Sequence, residues 1–68
     1  MTGKTTVEAY GDWLKETEKA ILFRHHDLEE EFWIPKSVIA NLDDYEEGDE
    51  DITLEIEEWF AVKEGMEA

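Results

Sequence analysis

Between Lys19 and Pro35 the chain carries two apolar runs, KAILFRH and EEFWIP, and one antiparallel register satisfies both. With His26 to Glu29 as the connecting loop, Phe23 faces Phe32 and Ile21 faces Ile34 on one side of the hairpin. The other side matches Leu22 with Trp33 and Arg24 with Glu31, an apolar pair and an opposite-charge pair. Cross-strand pairs of this kind contribute roughly 0.2–1 kcal/mol each. A slip of one residue turns every side chain to the wrong face and loses them all. Strands are therefore predicted over 19–25 and 30–35. Pro35 ends the second, because it has no N–H for a ladder and biases Ile34 toward extended geometry.

The flanks are read against that hairpin. Ser37 is placed to N-cap a short helical turn over Val38-Ile39-Ala40-Asn41. Seven of the nine residues in DDYEEGDED, 43–51, are acidic, which predicts a solvated loop around Gly48. Ile52-Thr53-Leu54-Glu55-Ile56 alternates and reads as a third strand. Glu57 to Glu64 reads as a helix with acids in its first turn, Lys63 in its last and Gly65 just beyond, with Trp59, Phe60 and Val62 packing it on the sheet. Upstream, Thr5 to Tyr10 is β-prone and Gly11-Asp12 punctuates it. From Trp13 the pattern is ambiguous: Trp13, Leu14, Thr17, Ala20 and Ile21 fit a helical stripe, yet Ile21-Leu22-Phe23 prefers a strand, and extended chain or a turn is expected ahead of the 19–25 strand. The expectation is one α+β domain over 1–68: a small antiparallel sheet of three to four strands, flat or curled toward a half-barrel, closed by a C-terminal helix.

Charge narrows the function classes. Twenty acids face six bases among 68 residues, a formal net charge of −14. A chain so acidic can be disordered, but 41% hydrophobic residues and eight aromatics argue for a folded core. The imbalance is uneven: residues 1–36 hold eight acids and five bases, residues 37–68 twelve acids and one base. Binding of nucleic-acid phosphates needs clustered Lys and Arg, so attraction to a basic protein surface is the expectation instead. There is no cysteine, hence no disulfide framework or thiolate metal site. No 18-residue apolar run or signal-peptide pattern occurs, and a soluble cytoplasmic protein is expected.

Catalytic constellations are absent from the pattern. An EF-hand register beginning at Asp43 puts Gly48 sixth, but Tyr45 falls third and Leu54 twelfth, so it fails. His25 and His26, beside Asp27 and Glu29, would point to opposite faces of a strand and cannot readily share one ion. An acid–base carboxylate pair needs a cleft and a desolvated member. No histidine is placed by sequence to activate Ser37. A non-enzyme without cofactor or metal is expected. Trp33 has two readings: core if its face is covered, or the centre of a contact patch with Leu22, ringed by Arg24, Glu31 and Lys36, if it is open.

The strings KAILFR, FWIPKS and ITLEIEEWFAVKEG, spanning residues 13–66, resemble a small domain met in phage and bacterial proteins of unknown role. The resemblance implies a fold and carries over no catalytic residue. Small acidic phage-like proteins of this kind are similar to anti-CRISPR and anti-restriction inhibitors, many of which imitate nucleic acid with surface carboxylates; that step is analogy. The expected function is accordingly an inhibitor or regulator that occupies a basic, nucleic-acid-binding protein surface. The expected strip is Asp43, Asp44, Glu46, Glu47, Asp49, Glu50 and Asp51, extended by Glu55, Glu57 and Glu58. DNA presents one charge per about 1.7 Å of axis, a density such a run can imitate. The alternative is a structural or assembly module, including a homodimer, that uses the apolar face around Trp33.

Overall fold

The computed structural model describes residues 5–66. Four strands, β1 (Thr6–Glu16), β2 (Ala20–His25), β3 (Glu30–Pro35) and β4 (Ile52–Glu57), form one open antiparallel sheet in the order β3-β2-β1-β4, and helix α1 (Glu58–Glu64) follows. The β2–β3 hairpin has the register expected from its side chains: Ile21 opposite Ile34, Leu22 opposite Trp33, Phe23 opposite Phe32 and Arg24 opposite Glu31.

One face of the sheet is core and the other is open. Ile21, Phe23 and Ile34 from the hairpin join Ala9, Trp13, Ile52, Leu54 and Ile56, all buried. The period of two along each strand sends Glu8, Tyr10, Arg24, Glu31, Trp33 and Glu55 to the other side, where all are exposed. The connection from β3 to β4 and helix α1 cover the core face, through Val38, Ile39, Phe60, Ala61 and Met66.

Several local expectations are corrected. Gly11-Asp12 does not interrupt the chain; β1 runs through it to Glu16, with a bulge between Trp13 and Lys15. The glycine is there for close approach: a Cβ would lie 1.9 Å from the Arg24 carbonyl oxygen. Gly11 is also the residue at which β1 is paired on both sides, to His25 and to Ile52. From Trp13 the chain is extended to Glu16, the extended reading of that stretch rather than the helical stripe. Ser37 caps nothing, because it lies inside a 3₁₀ turn, Lys36–Val38, that begins directly after Pro35. On α1, Phe60 and Ala61 make the packing face while Trp59 and Val62 are exposed. The helix end follows expectation: Gly65 takes φ 78, its N–H reaches the Val62 carbonyl, and the Met66 N–H reaches that of Ala61. With Ala61 and Met66 both buried, this is a Schellman ending with its apolar contact.

The two sheet edges differ. Antiparallel neighbours alternate between hydrogen-bonded and non-bonded pairs. The Glu58 N–H donates to the Thr5 carbonyl at 2.9 Å, so along β4 the groups of Thr53 and Glu55 turn outward. There the chain covers its own edge. Ala40 N–H donates to the Glu55 carbonyl (2.7 Å), Asn41 Nδ2 donates to the Thr53 carbonyl (2.9 Å), and the Glu55 N–H donates to Asn41 Oδ1 (2.8 Å). At the other edge the Lys36 N–H donates to the Lys19 carbonyl (2.8 Å), continuing the β2–β3 register. The alternation then points the backbone groups of Glu31, Trp33 and Pro35 away from β2. Among the described residues nothing pairs with them. A strand proline is tolerated where its missing N–H would face outward, and Pro35 sits at such a place.

Candidate interaction surface

The acidic connection is where structure adds most to sequence. Most of its acids are solvated as expected, while Tyr45 packs half-buried against the core and Asp49 is half-buried; the backbone is fastened. A 3₁₀ turn, Leu42–Asp44, carries Asp43 and Asp44 outward. Beyond it, the Glu46 N–H donates to Asp49 Oδ2 (3.0 Å) and the Asp49 N–H to the Glu46 carbonyl (3.1 Å), closing a turn. The turn is tied to β1 at the bulge: the Trp13 N–H donates to the Asp49 carbonyl (2.9 Å), and the Gly48 N–H to the Trp13 carbonyl (2.8 Å). Trp13 can do both because its backbone groups face away from β2.

A second tie involves groups far apart in sequence. Asp12 Oδ1 accepts the Asp51 N–H at 2.9 Å and lies 3.0 Å from His26 Nε2, while His26 Nδ1 is 3.8 Å from an Asp51 carboxylate oxygen. Tyr10 packs edge-on against the His26 ring. The Asp51 N–H, then His26, hold the Asp12 carboxyl below the usual aspartate value of 3.8. Asp12, His26 and Asp51 can each turn one donor atom to within 4.8 Å of the others, so this is the place among the described residues where a divalent cation could be held. The donors are already engaged in fastening Asp51 to β1. The two histidines do part company as expected: His25 is buried between Phe23 and Phe32, its Nδ1 accepting the Leu28 N–H.

The predicted strip divides by role. Asp43, Asp44, Glu46, Glu47, Glu50, Glu55 and Glu58 are exposed. Asp49 is half-buried and shapes the turn, and Asp51 is exposed but faces His26. Glu57 is half-buried and accepts the Trp59 indole N–H at 2.6 Å. Sequence reading missed Glu8, which the register sets directly opposite Glu55 on the open face. That pair is of the non-bonded, closer type, and two like charges so placed are destabilising. Trp33 is 53% exposed beside half-buried Leu22, so its reading as core is overturned. The open face thus has an acidic half over β1 and β4 and a mixed half over β2 and β3, where Trp33 and Leu22 neighbour Lys15, Arg24 and Glu31.

No cleft or cavity forms among the described residues. No helix among them is long and apolar enough to cross a membrane. No family model, curated protein or solved structure matches the chain.

Proposed function

We propose that this is a small acidic binding protein, not an enzyme, that inhibits or regulates a nucleic-acid-binding complex in the cytoplasm by setting carboxylates against its basic surface. One observation carries the reading: the exposed acids of residues 43–50 ride on a backbone hydrogen-bonded at Trp13 and within the 46–49 turn. A fixed array of charges loses less freedom on binding than an acidic tail would. The Glu8–Glu55 pair supports it, since a like-charge placement costs stability and needs another reason to be kept. The analogy to phage-type inhibitors that imitate nucleic acid points the same way.

The test is competition. Basic proteins retained on a DNA resin are challenged with this chain at about 50 mM and about 200 mM salt. The reading expects release of a basic protein at the lower salt only, and loss of release when Asp43, Asp44, Glu46, Glu47 and Glu50 are changed to their amides. Release indifferent to salt, or kept by the amide variant, sinks it. The exposure of Trp33 favours a second reading, an assembly module that includes a homodimer; there Trp33→Ala abolishes association while the amide variant keeps it.

A further inference from the structure

The β4 edge is filled by Ala40 and Asn41, and the β3 edge by nothing among the described residues. Along β3 the outward groups are the N–H and carbonyl of Glu31, those of Trp33, and the carbonyl of Pro35. This row can accept one more strand, and its side chains say which kind. Glu29, Glu30 and Glu31 make the first half of the edge anionic, and Trp33 gives the second half an exposed aromatic face.

A second copy of this chain would bring another Glu29-Glu30-Glu31 run and a further −14 of charge to the same edge. A cationic segment meets no such repulsion. We infer that the β3 edge is a strand-addition site for an extended basic segment of the partner protein, with a Lys or Arg beside Glu31 and an apolar or aromatic residue beside Trp33. Backbone bonds to Glu31 and Trp33 supply the pairing, and the two side chains on the open face supply the selection. The inference rests on the proposed basic partner and adds a mode of binding separate from the 43–50 acids. Pro35 limits the added strand: past Trp33 there is no outward N–H, so pairing stops at the proline.

The probe is a capped peptide alternating valine with lysine and tyrosine, added to the isotope-labelled chain. Amide exchange at Glu31 and Trp33 is expected to slow about tenfold on binding, with little change at Glu55. Glu31→Pro removes one outward N–H together with the carboxylate and leaves the β2 ladder and Trp33 in place; it is expected to weaken the peptide about tenfold, more than the loss of charge alone. Glu31→Gln, which removes only the charge, is expected to weaken it about threefold and to keep the exchange signature. Three results overturn the inference: unchanged exchange at Glu31 and Trp33 in the presence of peptide, equal binding by Glu31→Pro, or protection of these amides in the free chain that grows with its own concentration. The last would make the edge a contact between copies. Because the 43–50 amide variant keeps this edge intact, failed release from DNA resin with preserved protection at Glu31 refutes only the competition reading, and the converse refutes only this one.

Discussion

At β4 the outward carbonyls of Thr53 and Glu55 and the Glu55 N–H are taken up by Ala40 and Asn41, whereas at β3 the outward groups of Glu31 and Trp33 face solvent among acids and a proline. An unpaired edge is a template for any other strand, and proteins either cover it or make it unattractive. This chain does both, one remedy per edge. The covered edge is stabilised by bonds that can be removed singly. Among the described residues the open edge carries no such bonds; like charge works against pairing with its own copies there, and opposite charge is attracted. The lesson is that stability and selectivity are lodged at opposite sides of a sheet four strands wide.

Substitutions can break that contrast. The largest effect is expected where β1 is paired to both sides at once. Gly11→Ala drives a methyl into the Arg24 carbonyl, and with backbone on the other side of the clash it should cost about 3 kcal/mol, read as a lower urea midpoint. Next is the covered edge: Asn41→Ala removes both side-chain bonds to β4 and is expected to cost about 2 kcal/mol by the same measurement. It should also speed exchange of the Glu55 amide, making that edge resemble β3. Glu31→Pro is expected to cost under about 1 kcal/mol, since among the described residues its N–H bonds nothing; a much larger loss would mean that this N–H is bonded and the β3 edge is not open. Smallest is the pH effect of Asp12, the anchor that brings Asp51 to the start of β4. Its carboxyl is held below 3.8 in the folded chain, so its contribution is fully present above that value and disappears as the pH falls through the lower, folded one. Asp12→Asn should flatten the acid limb of a stability–pH curve, and an unchanged limb would remove Asp12 from the account.

Some of this was legible in the sequence and some could not be. The β2–β3 register was readable because bulk and charge agree on one alignment, and β4 because its alternation is unbroken. Gly65 was readable because helix endings are local. Gly11 was misread for the opposite reason: Gly-Asp is turn chemistry to its neighbours, and only the Arg24 carbonyl, in another strand, makes the missing Cβ necessary. The acids of 43–51 were recognised as solvated, but the bonds that fasten their backbone come from Trp13 and Asp12, and the Asp12–Asp51 bond spans 39 positions. Alternation assigned Trp33 to the face opposite Phe32 without telling which face a helix would cover. Glu8 became interesting only once pairing set it against Glu55.

The pairing of β1 with β4 has a consequence for how the chain reaches this state. The hairpin closes over a four-residue turn, and its contacts are near neighbours, so it can form in microseconds. Thr6, by contrast, pairs with Glu57, and that ladder must wait for the intervening chain to be gathered. During the wait β1 is itself an uncovered edge, offering the backbone groups of Val7, Ala9 and Gly11 that later pair with Ile56, Leu54 and Ile52. In that interval a sequence with twenty acids and six bases repels its own copies, and the half-formed sheet is kept from the intermolecular pairing that ends in aggregates.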